Sequence, residues 1–176
     1  MIIRGAVWKL GDNVSTDEIL PGKYMGIDQD KLAVHALEGA VPGLVSRIKP
    51  GDILVGGRNF GTGSSRQQAA IALREAGFGA VVSSSFARIF FRNCINVGLP
   101  VLWSSDVVTH TQEGDQLEID TEAGVISNTT RETQYTVAPL PPFARQIVSA
   151  GGLLSYASAR LGKSLVPTEP EGEVSA

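Results

Sequence analysis

Three short apolar runs set off by glycine occupy the middle of the chain, and they constrain its fold more than any other feature. They are residues 51–57 (GDILVGG), 79–82 and 98–103 (GLPVLW). Short apolar runs bounded by glycine read as buried strands. Between them lie two stretches suited to helices. In residues 66–76, Ala69, Ala70, Leu73 and Ala76 recur at helical spacing, and Gly77 stands where a helix-ending glycine belongs. In the second, Ser85 is placed to cap a helix over residues 86–93. Strand, helix, strand, helix, strand in succession predicts a parallel α/β unit with right-handed crossovers. The small residues of the first helix permit close packing on the sheet.

The flanks read less regularly. Residues 2–10 alternate enough for a strand. Residues 11–25 (GDNVSTDEILPGKYM) are rich in Gly, Asp, Asn, Ser and Thr and read as a loop. A short helix is expected over residues 29–38, ended by Gly39. Residues 115–120 and 124–137 suggest a hairpin or small β layer. The prolines of PLPPF lead into a helix over residues 143–150. The expectation is an α/β fold in one compact domain, residues 1–165, with a frayed polar tail at 166–176.

Composition narrows the function. A length of 176 residues suits one domain, and 43% hydrophobic residues supply a core. Only 19% are charged, below the usual fraction of about 25%, so part of the surface is expected to be covered. A net charge of −3 gives no footprint for nucleic acid. The apolar runs fall short of the roughly 20 residues a membrane span needs. The first residues are too polar for a secretory signal. A cytoplasmic protein is expected. One cysteine, Cys94, rules out an internal disulfide, and it is too few for an iron–sulfur cluster, which takes about four thiolates. Cys94 lies among Phe90, Phe91 and Ile95 and reads as a buried structural thiol. His35 and His110 have no partner at metal-ligand spacing. No metal site is expected in the chain.

Residues 59–66 (NFGTGSSR) carry the chemistry. Gly61 and Gly63 allow unusual backbone angles and close approach of a ligand. Ser64 and Ser65 precede a helix whose first amides are unpaired and partly positive, a setting that binds anions. Arg66 adds a planar fork matched to a carboxylate. The same letters also fit capping boxes, Ser65 with Gln68 and Ser64 with Gln67. Capping and ligand binding both suit the local pattern. A Walker loop, a dinucleotide fingerprint and a nucleophile elbow are absent.

Residues 11–25 together with residues 51–102 resemble the small-subunit family of 3-isopropylmalate dehydratase, which corresponds to the swivel domain of aconitase. The resemblance covers residues 7–102, over half of the chain. It implies a compact swivelling β/β/α domain and a hydro-lyase that isomerises 2- and 3-isopropylmalate by dehydration and rehydration. It implies a larger, aconitase-like partner subunit bearing a [4Fe–4S] cluster, and no cofactor on this chain. By resemblance Ser64 is the catalytic base and Asp17 assists from the opposite wall. Ser65, Arg66 and Gly63 bind substrate, with Arg66 on a carboxylate. Arg88, in SFAR, is placed near the site. The loop with Tyr24, Met25 and Ile27 touches the variable arm of the substrate; it holds no arginine, which favours an alkyl arm. The chain departs from the family at Gln67-Gln68, where Glu-His is common, and at Glu18, where aconitases often carry His. Alternatives are a homoaconitase or other 2-alkylmalate dehydratase small subunit, or a non-catalytic anion-binding regulatory module on the same loop.

Overall fold

The computed structural model describes residues 1–162. The expected tail at 166–176 lies outside the described residues. Four strands are parallel neighbours: β1 (Ile2–Lys9), β2 (Ile53–Gly56), β3 (Ala80–Ser83) and β4 (Val101–Trp103). The free edge of β1 is extended antiparallel by β5 (Gln116–Asp120), β6 (Val125–Asn128) and β7 (Thr133–Thr136). The sheet order is β4-β3-β2-β1-β5-β6-β7.

Every residue of β2 and β3 is buried, as in a parallel strand covered on both faces. Alternation still divides them. Leu54, Val81 and Val101 join the core under α2 (Gln67–Glu75) and α3 (Arg88–Val97), together with Ala69, Ala70, Leu73, Phe90 and Cys94. Ile53, Val55, Ala80, Val82 and Leu102 face the other way. They pack with Leu117, Ile119 and Ile126 of the antiparallel half and with Val107 of α4 (Ser105–His110). The helices α2 and α3 are the predicted crossovers, and Gly77 follows α2 with φ +105°. Two further helices, α5 (Pro142–Ser149) and α6 (Leu153–Leu161), pack on the α3 side, α5 as expected and α6 beyond it. No helix among the described residues is long and apolar enough to cross a membrane.

Three sequence expectations need correction. Residues 29–38 form 3-10 turns at Gln29–Lys31 and Ala33–His35 rather than a helix. The Leu37 amide donates to the Ile19 carbonyl at 2.7 Å, which draws Leu37 to φ +60° and buries it. Ser85 does not cap α3. Its Oγ accepts from the Asn59 amide at 2.8 Å, and Phe86 bridges Phe60 in extended form, so α3 starts only at Arg88. The polar segment 11–25 is not all loop, since it contains α1 (Thr16–Ile19).

Candidate functional site

The site lies beyond the carboxyl ends of β1 and β2, where open α/β sheets gather their ligands. Three strand-end segments are tied together by backbone bonds. The Gly61 amide donates to Val14 O at 2.7 Å, Thr16 to Thr62 O at 2.8 Å, and Asn13 to Arg58 O at 2.7 Å. On the other side Phe60 donates to Ser85 O and Ala87 to Phe60 O, both at 2.9 Å. The loop of residues 57–66 is thus held between the segments after β1 and β3.

Two glycines let it pass. Gly61 has φ +77°, and a Cβ there would lie 2.1 Å from Phe90 Cγ. Gly63 has φ +103°, with Thr16 Oγ1 only 3.3 Å from where a methyl would stand. Thr16 is 1% exposed. Its Oγ1 accepts from the Ser64 amide at 3.1 Å. From α3, Asn93 Nδ2 donates to the Ser65 carbonyl at 3.1 Å. Both ends of the Ser64–Ser65 pair are therefore anchored through their backbones.

Their side chains are not. Ser64 and Ser65 are exposed, and neither hydroxyl takes a hydrogen bond from or gives one to another described residue. The N-cap of α2 is Arg66, with no side-chain cap bond. Neither capping box expected at Ser64 or Ser65 forms, because the helix begins too late for either serine to be the cap. Of the two uses the sequence allows for these serines, capping is excluded. Arg66 is largely buried, its side chain 16% exposed, and Nη1 donates to the Asp17 carboxylate and, at 3.5 Å, to Leu20 O. The guanidinium runs beside Gly22, 3.4 Å from where a Cβ would stand.

Asp17 is presented by α1. Ser15 caps that helix: its Oγ accepts from the Glu18 amide at 3.2 Å, and Glu18 Oε2 accepts from the Ser15 amide at 2.8 Å. Glu18 is thus the reciprocal member of a capping box. Asp17, between them and 59% exposed, is left free to face Arg66.

The remaining expected residues divide. Met25 is 42% exposed, while Ile27 packs against the core. The Tyr24 ring stacks on His35 at 3.6 Å, and its hydroxyl donates to Glu38 at 2.8 Å. Tyr24, His35 and Lys23, in that order of effect, hold the Glu38 carboxyl down to about 2. The hydroxyl of Tyr24 is committed to this cluster. Arg88 is exposed at the start of α3, among Phe86, Phe91, Arg92 and Trp103, and forms no bond to residues 57–66. The structure brings Asp17, Gly63, Ser64, Ser65 and Arg66 together, and Gly22, three residues before Met25, lies beside the Arg66 guanidinium. Thr16 and Asn93 join it without any sequence expectation. The Ser15-x-x-Glu18 pattern could have revealed α1, but no local signal marks Thr16 or Asn93.

Cys94 is fully buried on α3, and burial raises its thiol well above the usual range. No group of three or more His, Cys, Asp or Glu side chains among the described residues is arranged to hold a metal ion.

The family model of the aconitase C-terminal domain matches residues 11–105. The chain is similar to the 3-isopropylmalate dehydratase small subunit of Thermodesulfovibrio yellowstonii, at 46% identity over 92% of this chain and 96% of that one. It is also similar to the methanogen homoaconitase small subunit of Methanothermobacter thermautotrophicus, at 47% identity over 88% and 90%. Among solved structures, a 3-isopropylmalate dehydratase from Methanocaldococcus jannaschii superposes with a TM-score of 0.86 at 41% identity, covering 92% and 96% of the two chains.

Proposed function

The chain belongs to the aconitase C-terminal domain family, and from that premise we propose that it is the small subunit of a cytoplasmic hydro-lyase, 3-isopropylmalate dehydratase. The enzyme moves a hydroxyl between adjacent carbons of isopropylmalate by loss and return of water. The observation that carries the reading is the pair of free, exposed serine hydroxyls beside an anchored arginine, on a loop where capping has no claim on them.

The setting of each residue supports the role that the family resemblance implies for it. Arg66 receives a substrate carboxylate on the part of its fork that Asp17 leaves free; Asp17 keeps the guanidinium in place. Gly63, lacking a Cβ, lets the substrate approach the backbone. Ser65 offers a hydroxyl to the substrate. Ser64 Oγ, ionised by loss of its own proton to solvent, takes the proton from the carbon next to the departing hydroxyl, becomes the neutral hydroxyl, and returns that proton on rehydration. A free serine hydroxyl is a very weak acid. The Arg66 charge and the unpaired amides at the start of α2 lower the cost of its anion.

This chain's residues do not fit an iron–sulfur cluster, since its one thiol is buried in the core. In this reading a [4Fe–4S] cluster held by a large partner subunit would supply a Lewis acid for the departing hydroxyl. Turnover is therefore expected only from the assembly. Reconstitution with a cluster-loaded large subunit tests this. Isomerisation of isopropylmalate by the pair and by neither part alone is expected. An assembled, cluster-loaded pair with no activity on isopropylmalate would remove the assignment.

A homoaconitase small subunit is the second reading, favoured by the 47% identical relative of that name. Against it stands the border of the site: Gly22–Tyr24 and Met25 present an exposed thioether and no arginine to hold an additional carboxylate.

A further inference from the structure

One face of α3 carries a cluster of aromatic rings flanked by two arginines. Trp103, at the end of the edge strand β4, is 42% exposed and lies flat on Phe91, with ring centroids 4.3 Å apart. Phe86 meets both rings, at 6.1 Å from Phe91 and 6.0 Å from Trp103. Ile89, in the first turn of α3, is 50% exposed. Beside these rings a hollow of about 200 Å³ opens between Arg88 and Arg92.

Arg88 and Arg92 stand four residues apart on α3, both exposed. Like charges at that spacing repel. Neither has a carboxylate partner among the described residues, a state they share with Arg47, Arg145 and Arg160, whereas Arg4, Arg58, Arg66, Arg74 and Arg131 are each paired with one. A chain of net charge −3 thus leaves two cations unmatched around an exposed aromatic stack. Aromatic residues and arginine are the types that dominate the centres of protein interfaces.

The patch is continuous with the site. Asn93, one turn beyond Ile89 on α3, holds the Ser65 carbonyl, and Phe86 bridges Phe60 in the loop that carries Ser64. A body seated here lies next to the loop of Ser64–Arg66. A second copy of this chain is a poor occupant, because a two-fold contact uses the same patch on both copies and would set its unmatched positive charge against itself.

We propose that Phe86, Arg88, Ile89, Phe91, Arg92 and Trp103 form the docking surface for the cluster-bearing large subunit, which meets them with carboxylates around an apolar contact. The proposal rests on the small-subunit reading above. Its test is the affinity of the purified chain for the purified large subunit, by titration calorimetry, with thermal melts to check folding. The charge reversal Arg88→Glu with Arg92→Glu should weaken binding about 30-fold or more, and added salt should weaken the wild-type complex. Trp103→Ala should weaken it about tenfold or more. If that variant does not fold, Trp103→Phe and the arginine pair carry the test. Leu154→Ser, an exposed position on α6, should bind like wild type. Wild-type affinity in the folded arginine variant would overturn the docking surface while leaving the small-subunit reading intact. A wild-type chain that does not bind the large subunit would overturn both. A wild-type homodimer that the arginine reversal dissociates would overturn the choice of occupant.

Discussion

Ser64 is held by its backbone and free at its side chain, and that division makes its role testable. Had it been a cap, Ser64→Ala would cost about 1 kcal/mol of stability and spare turnover. As a proton acceptor outside the cap, it should show the reverse. Ser64→Ala is expected to melt within a degree or two of wild type, on the scale of a surface substitution, and to lose about 10²–10⁴-fold in kcat in the assembled enzyme. Thr16 should act on the same reaction from behind. Thr16→Val removes the acceptor for the Ser64 amide and lets the serine drift. We expect kcat to fall with little change in KM, and Thr16→Ser to restore it. Equal loss in both variants would assign Thr16 a packing role only. Arg66→Lys keeps the charge but loses the fork, so KM should rise more than kcat falls. Its surface-facing bond to Asp17 contributes little to folding, because a partner 59% exposed is well screened.

At the scale of elements, the loop after β2 depends on the start of α3. Gly61→Ala would drive a methyl into Phe90 at a φ that side chains avoid. A loss of at least about 2 kcal/mol in urea unfolding is expected, with turnover falling because the loop shifts. In the antiparallel half, Asp115 ties β5 to β6 by accepting from the Gln112 amide, Asn128 and Arg131. Burial pushes its carboxyl up, but Arg131, the Gln112 amide and Asn128 outweigh it and hold the group at about 2. A folded value below the unfolded one of about 3.9 means stability complete above that pH and lost as pH falls through about 2. The stability gap between wild type and Asp115→Asn should therefore be full at pH 7, narrow below about pH 4, and close near pH 2; urea midpoints across that range measure it. The parallel unit can be read in the sequence because glycine-bounded runs and helical spacing are local signals. α1 escapes such a reading because four residues are too few for periodicity, though its capping box is written in Ser15 and Glu18. The helix expected at 29–38 fails for a reason no local pattern holds, the long-range bond from Leu37 to Ile19. The site shows the same split. Ser64, Ser65 and Arg66 stand in one legible motif, while Asp17 comes by family resemblance and Thr16 and Asn93 only by folding.

At the scale of the molecule, β1 divides the sheet into a parallel half that carries the site and an antiparallel half that supports it. In the proposed enzyme, specificity is expected at the rim of the first half. Gly26 is exposed, has no atom within 4 Å of where a Cβ would stand, and does not need a positive φ. Gly26→Arg should fold normally and shift kcat/KM from isopropylmalate toward a tricarboxylate, with the same large subunit. Discrimination among alkyl arms should stay modest, since one methylene is worth about 1–3 kcal/mol. A wild-type enzyme that prefers the tricarboxylate would reverse this assignment. The burial of Cys94 has a different consequence. It is the chain's one sulfhydryl, set in α3 within the core that also holds Phe90 and Ile95. A disulfide reagent reaches it only when α3 leaves the sheet, so labelling becomes a clock for that opening. With reagent in excess and the label read by mass on this chain alone, the rates in the lone chain and in the assembly would differ by the factor through which the partner holds α3 closed. The molecule thus carries its own gauge of how much its assembly tightens it.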